Sequence, residues 1–442
     1  MASSPVVIIG AGLAGLSAAY HLEADYEIHE MASRPGGLCR SLTFDGFTFD
    51  SAVHVLYSKD PYASLLIRRL LGDELLTLDR SSWVFFRGVH TRYPFQANTY
   101  GLPGQIRADC ILGLVEAQRR ELGRTDPPTS FGDWIMRTFG SGIAEHFMLP
   151  LNRKLWGVDP SEMGWEWVIE RIPQPRLEEV VLGALEGRST QHGPNAVFWY
   201  PARGGMESLA RAFLPFVQGL YLNSRVVKIR PIERTIVLAD GAERSYRRLI
   251  STLPLPELVE IIDGAPEQVR RIASELRCNR VLAVHLGIDR PAVSDKHWVY
   301  YPELQFVFHR TSFPANFSPD LVPRDASSIT AEVTLPIGLP SDGILDRVVA
   351  DLRKAGVLMV SDRILVSHVQ ELHPAYVVYR PDHKEQVRAL RGFFEPRGIF
   401  SCGRFGEWEY LNMDHAILSG KRAAEMAVGR PLAGCLARGE GW

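Results

Sequence analysis

Three glycines, Gly10, Gly12 and Gly15, stand in the spacing G-x-G-x-x-G directly after the β-branched run Val6-Val7-Ile8-Ile9. The first permits a tight turn, the second lets a pyrophosphate approach the backbone, and the third lets a following helix pack on the strand. The run reads as a buried parallel strand. Leu16 to Leu22 reads as the helix, with its free N–H groups turned toward the phosphates. A second strand, Tyr26 to His29, leads to Glu30, 20 positions after Gly10. A carboxylate there can accept the hydroxyls of an adenosine ribose and disfavours a 2′-phosphate. Strand, turn, helix, strand and acid in one short unit predict a dinucleotide-binding α/β domain.

The next polar stretch, Arg34-Pro35-Gly36-Gly37-Leu38-Cys39-Arg40-Ser41, holds a second Gly-Gly turn flanked by arginines. It resembles the second phosphate motif of the amine-oxidase and mutase group of flavoproteins, which NAD dehydrogenases usually lack. The expected cofactor is therefore FAD, with Gly36, Gly37, Arg40 and Ser41 against its diphosphate or ribityl chain.

The elements that must position these residues return late. Tyr221 to Ile229, which includes Val227, and Thr235 to Leu238 read as strands, followed by Leu249 to Thr252. Gly398 to Arg404 reads as a strand running into a glycine turn, and Asp414 to Glu425 as a closing helix, whose amino terminus can stabilise a reduced, anionic flavin. Between them, 104–200 is patterned as helices and 266–395 as alternating strands. The expected architecture is α/β: a Rossmann-like FAD-binding domain from 1–103, 201–265 and 396–430, an inserted helical domain, an antiparallel sheet domain, and a tail, 431–442.

Composition narrows the class. Hydrophobic residues make up 46% and charged residues 23% of the 442, which fits a folded chain rather than a disordered one. With 49 Lys+Arg against 51 Asp+Glu, the net charge of −2 argues against a general nucleic-acid binder. No apolar run reaches the ~18 residues of a spanning helix, so no membrane partner is expected. Five scattered cysteines without CxxC or Cys/His spacing predict neither a disulfide framework nor a metal site.

Further motifs extend the pattern: Tyr93-Pro94-Phe95-Gln96, Asn152-Arg153-Lys154-Leu155-Trp156, Glu170-Arg171, Gly193-Pro194-Asn195-Ala196, Phe198 to Gly205, His309-Arg310, Tyr376, and Gly403-Arg404-Phe405-Gly406 with Trp408, Tyr410 and Asp414-His415. From Val6 to about Ala424 the chain resembles the UDP-galactopyranose mutase family, its longer, eukaryotic-type branch above all. The resemblance implies an FAD-dependent isomerase that interconverts pyranose and furanose forms of a UDP- or dTDP-sugar without net redox change. In that family N5 of reduced flavin attacks the anomeric carbon, forming a covalent adduct as the nucleotide diphosphate leaves.

The roles it implies suit the residue types. Arg171 and Arg310 would clamp the diphosphate, guanidinium being the side chain that meets such oxygens in pairs. Tyr376 and Tyr410 would hold the same group. Tyr93, Phe95 and Gln96 would form the uracil pocket, an aromatic face with an amide to read the base edge. Asn152 and Trp156, four apart on one helix face, would line nucleotide and sugar, with Tyr300 also on the substrate side and Asn195 on a flap. Arg80 and Arg404 would sit beside the flavin, where positive charge favours its reduced anion. Val227, Gly403 and Asp414 complete the cofactor set. His54 would lie next to the flavin and Tyr57 against the sugar.

One departure stands out. Where the family has two glycines before the histidine, this chain has Ala52 and Val53, whose side chains restrict the backbone and occupy space above the flavin. Three readings follow: another sugar, a changed redox response, or another outcome such as oxidation, elimination or deglycosylation. An amine-oxidase-like activity shares the FAD frame but has no use for two clamp arginines. NAD(P)H stands as the candidate reductant, a homo-oligomer as the candidate assembly, and the cytoplasm as the expected location.

Overall fold

Val6–Ile9 forms the centre of a five-stranded parallel sheet ordered Ile399–Ser401, Arg248–Ser251, Val6–Ile9, Tyr26–His29, Leu220–Tyr221. The computed structural model describes residues 4–169, 171–187, 196–336 and 338–430. All four residues of the central strand are buried, because helices cover both faces. On one side Leu13–His21 and Met413–Val428 pack through small residues, Ala14, Ala18 and Ala424 among them. On the other, Val7, Ile9 and Leu249 share a core with Leu255–Ile261 and with the three-stranded antiparallel sheet Val226–Arg230, Thr235–Leu238, Glu243–Ser245.

The helical layer consists of Gly104–Glu121, Phe131–Ile143, Leu149–Trp156 and Leu177–Leu185. Ser130 caps the second of these by accepting from the Asp133 amide, and Gly157, at φ 72°, ends the third. Its core is aromatic, with Phe131, Trp134, Phe139, Phe147 and Trp156 all buried.

The third layer is a seven-stranded sheet ordered Ile364–Leu372, Arg280–Ile288, Ser327–Leu335, Arg310–Ser312, Trp298–Tyr300, Ser82–Phe86, Val89–Arg92. Two boundaries differ from the sequence division. Ser82–Phe86 and Val89–Arg92 lie within 1–103 yet belong to this sheet, joined through a parallel pairing with Trp298–Tyr300. That pair is the exception in an otherwise antiparallel array. His383–Phe394 lies within 266–395 yet buries Leu390 and Phe394 in the core beside the parallel sheet. Local alternation cannot reveal the first, because it depends on pairing across more than a hundred residues. The result is a Rossmann-like domain with an inserted helical layer and a mainly antiparallel sheet. No helix among the described residues is long and apolar enough to cross a membrane.

Candidate active site

One continuous cavity of ≈ 2140 Å³ is lined by all three layers. That is about twice the ~1,000 Å³ upper range for a pocket holding one drug-sized ligand, so it can take a dinucleotide and a second molecule together.

At one end the wall is backbone. Gly10 adopts φ +93°, and a Cβ there would sit 2.1 Å from Thr252 Oγ1. At Gly15 a Cβ would sit 1.9 Å from the Gly10 carbonyl, so only glycine lets the helix Leu13–His21 approach. The Gly36-Gly37 turn docks onto this loop: the Gly36 amide donates to the Ala11 carbonyl (2.9 Å), and a Cβ on Gly37 would lie 3.1 Å from Gly12 Cα. The two glycine turns thus stand side by side at a helix amino terminus, where free N–H groups meet anions. Glu30 is buried at the end of its strand and accepts from the amides of Ala11 (2.7 Å) and Ala32 (2.9 Å). A second helix, Met413–Val428, also opens onto the cavity with Asn412 and Asp414. The buried Asp414 Oδ1 and Arg404 Nε have no hydrogen-bond partner among the described residues. This cradle, with its orphaned polar atoms at the far side, fits FAD.

At the other end the wall is side chains drawn from distant segments. Tyr376 and Tyr410 stack with ring centroids 5.6 Å apart at 17°. Arg404 lies 4.6 Å and Arg171 4.9 Å from the Tyr410 ring centroid, and Arg310 Nη2 donates to the Tyr376 hydroxyl at 3.3 Å. Arg80 is buried over Tyr93, whose ring meets Tyr300 at 5.1 Å. Tyr57 accepts from Asn412 Nδ2 at 2.9 Å; burial, and then the Asp414 charge, raises its pKa and keeps it a phenol. Burial, with the Arg404 charge adding to it, pushes His54 down to about 4, so the imidazole is neutral near pH 7. Its Nδ1 has no partner among the described residues. Such an end can hold a polyanion by cations, stack flat groups, and keep a neutral imidazole beside them.

Not every expected residue reaches the cavity. His54, Tyr57, Arg80, Tyr93, Arg171, Tyr300, Arg310, Tyr376, Arg404, Tyr410 and Asp414 line it together with Gly10, Gly12, Glu30, Gly36, Gly37, Arg40 and Gly403. Phe95 does not: it is fully buried and stacks on Phe147 at 4.7 Å. Gln96 is buried behind the lining, donating to the Pro173 carbonyl while its Oε1 stays unpartnered among the described residues. Asn152 and Trp156 turn to each other, the indole donating to Asn152 Oδ1 at 3.0 Å, and Trp156 backs Tyr376 and Tyr410 from the core. Ser41 Oγ donates to the buried Asp50, so its hydroxyl serves the scaffold. Val226, not Val227, lines the cavity; Val227 is the extra residue of a β-bulge, left without a ladder partner. Asn195 lies outside the described residues.

Two residues escaped the sequence reading. Thr252 closes the turn at Gly10, donating to the Ile9 carbonyl at 2.9 Å. Glu332, wholly buried, lines the cavity and pairs with Arg310 at 2.6 Å. Its signal was an acid inside the apolar strand Ser327–Leu335, where a buried carboxylate needs a partner.

The fold and the glycine cradle define a flavoprotein, and residues 13–427 match the flavin-containing amine oxidoreductase family, to which this chain belongs. Within that class, the chain is similar in structure to reduced UDP-galactopyranose mutase, with a TM-score of 0.92 and 29% identity over 97% of this chain and 94% of the other. In sequence it is 19% identical to coproporphyrinogen III oxidase of Bacillus subtilis (strain 168) over 96% of this chain and 97% of that protein. It is 21% identical to coproporphyrinogen III oxidase of Staphylococcus aureus (strain NCTC 8325 / PS 47), over 41% of each. The chain spans between 36% and 50% of the length of the first curated relatives it matches.

Proposed function

We propose that this chain is an FAD-dependent enzyme that interconverts the pyranose and furanose rings of a nucleotide-linked sugar. The observation that carries the reading is the convergence of Arg171, Arg310 and Arg404 on the stacked Tyr376–Tyr410 pair, in the same cavity as the dinucleotide cradle. Bound and reduced, FAD supplies the nucleophile that ring rearrangement requires. The protein's own groups do the rest. Arg171 makes no salt bridge among the described residues and only shares its field with Glu409, so its guanidinium donors are available to a diphosphate leaving group. Tyr376 and Tyr410 give that group hydroxyls on a rigid aromatic wall. Tyr93 and Tyr300, with Arg80 behind them, offer flat faces for a base. His54, neutral, can relay a proton by accepting at one ring nitrogen as the other releases, which leaves no net charge beside the sugar. The reading brings with it a cytoplasmic setting, where nucleotide sugars are made, and an external reductant such as NAD(P)H.

A second reading, oxidation of a polycarboxylated substrate, draws support from the full-length similarity to a coproporphyrinogen III oxidase, since guanidinium binds carboxylates as well as phosphates. The two separate in a pair of assays, one without oxygen and one in air. Dithionite-reduced enzyme is incubated without oxygen with UDP-galactofuranose, and the UDP-sugars are resolved. UDP-galactopyranose formed by reduced but not oxidised enzyme supports the mutase. No conversion, with oxygen uptake on a porphyrinogen, rejects it in favour of the oxidase.

A further inference from the structure

Glu332 is fully buried, yet it sits in the cavity wall between the two groups that matter most at the side-chain end. It stands directly across the ladder from Arg310 in the pairing of Arg310–Ser312 with Ser327–Leu335. Oε1 accepts from Arg310 Nε at 3.0 Å and Oε2 from Arg310 Nη2 at 2.6 Å, a fork-to-fork pair. Oε1 also accepts from the Val53 amide at 3.2 Å, so the same carboxylate ties down the turn that carries Ala52, Val53 and His54. His309 Nε2 lies 3.6 Å from Oε2 and closes the far side. Burial, the largest single influence, would raise this carboxyl; the Arg310 charge and the contacts from His309 and Arg310 together overcome it and keep Glu332 ionised.

Of the five guanidinium donors, Glu332 and Tyr376 occupy Nε and Nη2, and the two N–H groups of Nη1 make no hydrogen bond among the described residues. A side chain held on one edge in this way can present only the other edge. Its partner cation, Arg171, has no such carboxylate.

We infer that Glu332 is a positioning residue: it aims the free edge of Arg310 at the anion and locks the Ala52–His54 turn to that cation. The inference rests on the reading that this end of the cavity binds a nucleotide diphosphate. It implies that the turn cannot withdraw from the cavity while Arg310 is in place, so the Val53 side chain is a fixed part of the wall.

The test uses FAD-loaded enzyme and Glu332→Asp, which keeps the charge and draws the carboxylate back by one methylene. UDP, inorganic pyrophosphate and uridine are each titrated by calorimetry. The expected result is a loss of about tenfold for UDP and for pyrophosphate, with uridine unchanged, because charge-assisted hydrogen bonds depend on alignment. An equal loss for uridine, or no loss for any ligand, overturns the proposal. Should the aspartate variant fail to retain FAD, Glu332→Gln is titrated with pyrophosphate instead. There the amide nitrogen faces Arg310 donors; weaker binding supports the proposal and unchanged or tighter binding overturns it. Wild-type enzyme that binds neither UDP nor pyrophosphate overturns the diphosphate reading and this inference together, whereas normal wild-type binding with an indifferent Glu332→Asp overturns the inference alone.

Discussion

The two ends of the cavity are built on opposite plans. At the dinucleotide end, the groups offered are amides and carbonyls of glycine turns and helix starts, fixed by backbone geometry. At the other end they are long side chains, Arg80, Arg171, Arg310 and Arg404 with Tyr57, Tyr93, Tyr300, Tyr376 and Tyr410, brought together from widely separated stretches of sequence. Backbone walls accept few changes and bind one kind of ligand. Side-chain walls can be re-aimed one residue at a time, which is how one flavoprotein frame serves oxidases and isomerases. The cofactor end therefore reports class, and the arginine end reports chemistry.

The contrast can be broken most severely at the backbone end. Gly15→Val should leave little FAD in the purified protein and destabilise it by roughly 3 kcal/mol or more, since a Cβ there meets the Gly10 carbonyl at 1.9 Å. Flavin absorbance and a melting curve measure both. At the other end, Arg171→Ala should retain FAD fully while UDP affinity falls by about 10–100-fold, the worth of a charge-assisted contact. A parallel loss of FAD would show the two ends to be one structural unit. Smaller still is Val53→Gly, which removes a branched side chain from the cavity wall and should raise kcat/KM for the galactose rings by about tenfold. Unchanged kcat/KM would mean that this position does not set the substrate.

The least effect belongs to pH. His54 is held neutral in the folded protein and titrates near 4, against 6.5 when unfolded. Between those values the unfolded chain binds the extra proton, so stability rises with pH across that window and His54 adds nothing further above it. His54→Gln should flatten the slope of melting temperature between about pH 4 and 6.5 slightly, because other histidines lowered by burial, His21, His90, His285 and His383 among them, contribute to the same slope. An identical slope would place His54 in contact with water.

What the sequence disclosed follows the same division. Gly10, Gly12, Gly15 and Glu30 act within one strand–turn–helix–strand unit, so spacing alone carries their geometry. Arg171, Arg310, Tyr376 and Tyr410 were reached through resemblance, because no local pattern brings them together. Phe95 shares a motif with the lining residue Tyr93 but points into the aromatic core, as Trp156 does, because side-chain direction depends on what packs behind. Ser41 was lost to Asp50, a buried acid whose need for donors outranks the cavity. Glu332 was read only as part of a strand, although a carboxylate among Ile329, Ala331 and Val333 calls for a buried cation.

The most direct measurement is a titration of the oxidised holoenzyme with UDP, followed by flavin absorbance. If the glycine end holds FAD and the arginine end holds the nucleotide in one cavity, UDP should perturb the flavin spectrum and saturate at one UDP per FAD, and the perturbation should vanish in Arg171→Ala. A flavin spectrum indifferent to UDP in protein that carries its full FAD would contradict the account.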